Sequence, residues 1–161
     1  MRKHSFVYTI IEDYVEVDAA TKKQIKKIKL TDDKKIPGMN QTSFYDKNEN
    51  LDELINKKIG HIFKQLNFKL NHCWVQKYLN YSHHAVHTHD PKGVSFVWFI
   101  EGSKNSSPIS FYDVGYPYVD VNTPKDFKFV PGTLLLFPGY IPHEVRPNKT
   151  DNRLIVSGNL V

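Results

Sequence analysis

The stretch Val130-Pro131-Gly132-Thr133-Leu134-Leu135-Leu136-Phe137-Pro138-Gly139-Tyr140-Ile141-Pro142-His143-Glu144-Val145 decides the fold. Pro131-Gly132 makes a tight turn. Within the run from Thr133 to Phe137, positions 134–137 are apolar one after another, which predicts a strand buried on both faces. Pro138-Gly139 turns the chain again, and His143 opens a new strand. A buried strand that turns sharply to present one histidine is how a β-barrel places a ligand at its mouth. Taken alone, His143 also suits a hydrogen-bonded turn histidine.

Upstream lies His83-His84-Ala85-Val86-His87-Thr88-His89-Asp90. On an extended strand, residues two apart share a face, so His87 and His89 can converge on one metal ion. The same pair alone also suits a pH-sensitive or exposed pair. His83 and His84 are adjacent, point opposite ways and fit a shared site less well. Downstream, Arg153 opens Arg153-Leu154-Ile155-Val156-Ser157-Gly158-Asn159-Leu160. Alternation puts Arg153, Ile155, Ser157 and Asn159 on one face. An arginine facing the interior needs an anionic partner, and a bound carboxylate suits its planar fork. A surface salt bridge is the competing reading.

The rest of the second half is also β in pattern. Strands are predicted at 68–79, 94–100, 109–112, 127–130, 133–137, 143–146 and 153–160, separated by Gly, Pro, Asn and Ser. One helix is predicted at 51–66, capped by Asn50, with Asp52 and Glu53 in its first turn. Leu51, Leu54, Ile55, Ile59, Ile62, Phe63 and Leu66 form its apolar stripe. Residues 5–17 read as a strand and turn, with a further turn at Pro37-Gly38. The lysine-rich segment 21–36 reads as a solvated edge strand or loop. The fold class is therefore mainly β, a jelly roll with one covering helix. The chain divides into an N-terminal extension and helix, 1–67, and a β core, 68–161, of one domain.

Composition narrows the function classes. With 161 residues, 40% hydrophobic and 13% aromatic, the chain can build one real core. No apolar run approaches the roughly 18 to 20 residues that cross a bilayer. No apolar segment follows Met1-Arg2-Lys3-His4, so no secretory signal is expected. The single cysteine, Cys73, excludes an intrachain disulfide framework and a cysteine-based zinc site. A cytoplasmic setting, with no membrane partner, is the expectation. The net charge of +5 comes from lysine, since the only arginines are Arg2, Arg146 and Arg153. Nucleic-acid readers lean on arginine, so nucleic acid is not the expected partner.

In order and spacing, Trp74-Val75-Gln76-Lys77-Tyr78, His87-Thr88-His89-Asp90-Pro91, residues 94–99, Pro131–Pro138, His143-Glu144-Val145 and Arg153–Asn159 resemble a known family. The sequence is similar to the iron(II)- and 2-oxoglutarate-dependent dioxygenases of the double-stranded β-helix fold. It looks closest to a small branch common in marine bacteria and their phages, distantly akin to prolyl 4-hydroxylases. The match spans about residues 70–160. The resemblance implies His87 and His143 as catalytic iron(II) ligands. It implies Arg153 as the clamp for the far carboxylate of 2-oxoglutarate, with Tyr78 bonding the same group and Ser157 assisting. The implied reaction uses O2, turns 2-oxoglutarate into succinate and CO2, and hydroxylates a substrate. A phage-encoded relative would act in the host cytoplasm.

The family's carboxylate ligand position is occupied here by His89. Ligation by His87, His89 and His143 is the first expectation. Asp90 as third ligand needs a bulge, and two protein ligands alone are the third option. Losing the carboxylate weakens iron(II) affinity and favours zinc, nickel or copper as competitors. A cupin-like metal enzyme or sugar-binding module also shows HxH and a later histidine. Cupins carry a glutamate soon after HxH, and Asp90-Pro91-Lys92-Gly93-Val94-Ser95 has none. A non-enzymatic β-barrel module with incidental histidines is the third reading. Trp98, Phe99, Phe111, Tyr112, Tyr116 and Tyr118 are candidates to wall the pocket or to pack the core. Loops 101–108 and 113–126 are candidate lids over a protein or small-molecule substrate.

Overall fold

The computed structural model describes residues 8–35, 40–89, 92–112 and 124–161. The predicted turn at Pro37-Gly38, the start of the 5–17 strand, Asp90, Tyr116, Tyr118 and most of loop 113–126 lie outside them. The described residues form two antiparallel sheets and two helices. The larger sheet orders its strands β1 (Ile11–Tyr14), β9 (Thr133–Pro138), β6 (Val94–Glu101), β11 (Arg153–Leu160), β4 (Leu70–Tyr78), β3 (Gln41–Thr42) and β2 (Thr31–Asp32). The smaller orders β5 (His84–His87), β10 (His143–Val145), β7 (Ile109–Phe111) and β8 (Lys125–Phe127). Among the described residues, no helix is long and apolar enough to cross a membrane.

Strand alternation builds two cores from the same strands. Phe96, Trp98, Leu134, Leu136, Leu154 and Val156 face the helices and pack with Ile55, Ile59 and Phe63. Val97, Phe99, Leu135, Phe137 and Ile155 face the other sheet and pack with Ile109, Phe111 and Val145. This is why the run 134–137 is apolar at every position: each side of β9 meets a core. Gly132, at φ 97°, makes the turn that delivers it.

The long helix, α2 (Glu49–Gln65), buries the expected stripe but starts two residues early. Asn48, not Asn50, is its cap, because Asn48 is the residue in extended conformation whose side chain accepts from Leu51 N at 3.0 Å. Asn67, at φ 62°, closes it in the left-handed region. A second helix, α1 (Ala19–Ile25), corrects the expectation of one covering helix. It takes up the first part of the lysine-rich segment, 21–25, while β2 (Thr31–Asp32) further along is an edge strand of the larger sheet, as expected. Asp18 caps it through Thr21 N at 2.8 Å, and Thr21 and Ile25, one turn apart, supply a buried face. Its lysines stay on the solvent side or pair outward, as Lys26 does with Glu101 at 2.7 Å.

Gly158 sits mid-strand in β11, where the chain passes close to both neighbours. A Cβ there would run into the Phe96 ring and lie 2.6 Å from the His72 carbonyl oxygen. Gly158→Ala is expected to lower the unfolding free energy by about 1–3 kcal/mol, the usual cost of overpacking. A urea denaturation midpoint unchanged from the parent would contradict this packing.

Candidate metal and carboxylate site

Two strands and a turn deliver the histidines. Antiparallel pairing of β5 with β10 sets His87 directly opposite His143. His89 follows β5 and is fastened by its backbone N–H to Gly139 O at 2.6 Å, within the second Pro-Gly turn. The ligand nitrogens of His87, His89 and His143 all lie within 4.8 Å of one another. Their ring centroids stand 4.3 Å (His87–His143), 5.1 Å (His89–His143) and 5.2 Å (His87–His89) apart. Phe111 and Phe137 pack on His143 at 5.4 and 4.8 Å.

Two of these rings are held in a defined tautomer. Nδ1 of His87 lies 2.8 Å from Ala85 O, and Nδ1 of His143 lies 2.9 Å from Ile141 O. A carbonyl oxygen only accepts, so each Nδ1 carries the proton and each Nε2 keeps its lone pair. That is the state a metal ligand requires.

The basic end of the site comes from β11 and β4, which pair Arg153 with Tyr78, Ile155 with Gln76 and Ser157 with Trp74. Arg153, Ser157 and Tyr78 share one cavity with all three histidines, as strand alternation required. Arg153 is 0% exposed, which removes the surface salt bridge reading. Its Nε donates to Ser107 O at 3.0 Å, while Nη1 and Nη2 are buried and have no hydrogen-bond partner among the described residues. Aromatic rings box it: Tyr78 at 4.4 Å, Phe129 at 5.2 Å and Phe99 at 5.9 Å. Burial raises the Tyr78 hydroxyl to about 12, so it stays protonated and able to donate.

Several residues were not legible in advance. His84, set aside because it neighbours His83, lies in this cavity with its ring stacked on His87 at 3.9 Å. Gln76 and Trp74 line the cavity too, and their alternation with Tyr78 along the strand was the available signal. Ser107 had no signal, since its contact spans 46 positions of sequence. Ser106 and Ser107 are buried, so that part of loop 101–108 backs Arg153 instead of opening over the site. Trp98 faces the helix-side core and donates to Val15 O, away from the cavity. Phe99 and Phe111 do reach the site, and the buried Tyr112 hydroxyl donates to Glu144 Oε1 at 2.6 Å. The cavity is small, about 30 Å³. A larger cleft of about 810 Å³ runs between α1 and α2 and contains none of these residues.

No family model matches the chain, and no curated protein matches its sequence. Solved structures do match in fold. An oxidoreductase of the 2OG-Fe(II) oxygenase family from Burkholderia pseudomallei is 13% identical, with a TM-score of 0.71 over 94% of this chain and 83% of that one. The non-heme alpha-ketoglutarate-dependent epimerase SnoN of nogalamycin biosynthesis is 10% identical, with a TM-score of 0.67 over 94% and 76%. A prolyl hydroxylase from Trichoplax adhaerens, in complex with a hypoxia inducible factor oxygen degradation domain peptide, is 13% identical, with a TM-score of 0.62 over 93% and 82%. The chain therefore has the fold of the 2OG-Fe(II) oxygenases, and the resemblance read in its sequence is supported by fold.

Burial is the largest cause lowering all four imidazoles of the cavity, His84 to about 3 and His89 to about 4, with His87 and His143 moved the same way. The unfolded chain takes up protons below the ordinary value of 6.5, while the folded site resists them. The stability of chelator-treated protein should thus be fullest above that value and fall as pH drops toward about 4 and then about 3. Thermal melts across that range test it, and a flat profile would show that the imidazoles titrate freely.

Proposed function

We propose that this chain is an Fe(II)- and 2-oxoglutarate-dependent dioxygenase built on one double-stranded β-helix, or jelly-roll, domain, with residues 1–67 extending and covering the sheet. The observation that carries the reading is Arg153. A fully buried guanidinium whose two terminal nitrogens have no hydrogen-bond partner among the described residues, in the same cavity as three converging histidines, suits a ligand with a carboxylate at one end and a metal-binding group at the other. His87, His89 and His143 would hold the iron. Arg153, with Tyr78 and Ser157, would hold the distal carboxylate of 2-oxoglutarate. Bound iron supplies oxidation of the substrate by O2, coupled to conversion of 2-oxoglutarate to succinate and CO2.

The chain's own part is positioning and exclusion of water. The carbonyls of Ala85 and Ile141 keep Nε2 of His87 and His143 free to ligate. Phe111 and Phe137 press on His143 and fix its ring. Ser107 O and the surrounding rings aim the guanidinium fork. The peptide held by the Trichoplax prolyl hydroxylase makes a protein substrate one candidate class, and the epimerase of nogalamycin biosynthesis supports a small molecule as the other. Hydroxylation of a protein or a small molecule is the proposed outcome.

Anaerobic titration with iron(II) and then 2-oxoglutarate is expected to give a saturable visible charge-transfer band. Arg153→Ala should weaken 2-oxoglutarate binding about tenfold or more, the scale of a lost charge-assisted bond. Tight metal binding with no band in the parent protein would favour the cupin-like reading. Ligand choice is tested separately by iron affinity. His89→Ala should lose about tenfold or more and Asp90→Ala little, and the reverse order would make Asp90 the third ligand.

A further inference from the structure

His84 is the one imidazole of the cavity that the proposed reading leaves without a task. Its ring lies parallel to that of His87, 3.9 Å away at an interplanar angle of 12°. The two rings carry opposite tautomers. His87 keeps its proton on Nδ1, against Ala85 O. His84 turns Nδ1 toward Gln76 Nε2 at 3.3 Å and the Tyr78 hydroxyl at 3.5 Å. An amide nitrogen has hydrogens and no free lone pair, so Nδ1 of His84 accepts and its proton sits on Nε2. A ring in that state cannot ligate a metal through Nε2, but it offers an N–H to an anion. Two rings stacked face to face are also poorly disposed to share one ion.

The neighbours of His84 point the same way. Tyr78 lies between it and Arg153, with the guanidinium 4.4 Å above the phenol ring. Arg153, Tyr78 and His84 thus lie next to one another in the cavity that also holds His87, His89 and His143. The two terminal guanidinium nitrogens of Arg153 are fully buried and have no hydrogen-bond partner among the described residues, so this wall suits a negatively charged group.

We propose that His84 is a hydrogen-bond donor to the carboxylate ligand of this site, acting through Nε2–H, and is not a fourth metal ligand. The proposal rests on the dioxygenase reading and adds to it a positioning residue for the cosubstrate. Gln76 is the residue that sets its tautomer.

The test uses full-length protein loaded with zinc(II), which is diamagnetic and redox-inert. Long-range proton–nitrogen spectra of the imidazoles should show His84 protonated on Nε2. A proton on Nδ1 overturns the proposal. Calorimetric titration with 2-oxoglutarate should show about tenfold weaker binding in His84→Phe, which keeps the stacked flat ring, while zinc affinity changes by less than about twofold. His84→Gln, which retains an N–H donor, should recover part of the loss. Equal 2-oxoglutarate affinity in His84→Phe and parent overturns the proposal alone. A collapse of zinc affinity in His84→Phe makes His84 a ligand and overturns it too. A parent protein that binds zinc but no 2-oxoglutarate overturns the dioxygenase reading and this proposal with it.

Discussion

The guanidinium of Arg153 is the constraint on which the rest of the site depends. A cation removed wholly from water is costly unless something compensates it. Here the compensation inside the protein is partial. One hydrogen bond goes to Ser107 O, and three aromatic rings supply weaker cation–π attraction. Two nitrogens remain without partners among the described residues. Replacing such a residue by an apolar one of similar size is often neutral or stabilising. An arginine in this position therefore makes physical sense as half of a pair whose other half is a ligand.

The histidines complete the argument from the other end of the cavity. Burial holds all four near neutrality of charge, which removes their mutual repulsion and leaves lone pairs for a metal. Backbone carbonyls two residues back in the chain choose the tautomer of His87 and His143. In the proposed three-histidine set, which has no carboxylate, a bound metal would keep its full positive charge. An all-imidazole set also discriminates iron less sharply from zinc, nickel or copper. An anionic ligand, as proposed, would then carry more of the work of charge balance.

The scaffold that holds these groups is economical in a physical sense. β11 lies between β4 and β6 and sends Leu154 and Val156 to the helix side. The same strand sends Arg153, Ile155 and Ser157 to the cavity. The helix-side core locks the strand, so the register that aligns Arg153 with Tyr78 is fixed by packing on the opposite face. A slip of one residue would bury Leu154 in the site and place Arg153 among the leucines.

Periodicity and turn chemistry carried most of the β core. The doubly buried run 133–137, the Gly132 turn and the shared face of Arg153 and Ser157 are local patterns, because a strand's alternation is set by its own backbone. The HxH pair and His143 were legible as candidates for the same reason. What the local pattern could not hold was whatever depends on distant partners. Helix α1 forms because Asp18 caps it and Ile25 finds the core, although its lysines read as a solvated loop. Asn48 prevails over Asn50 because backbone angle, not residue type, selects the cap. His84 enters the site because pairing of β5 and β10 and the stack on His87 override its adjacency to His83. The sequence by itself determined which residues can share a face. Only the tertiary structure decided which faces meet, because that depends on sheet pairing and packing between residues tens of positions apart.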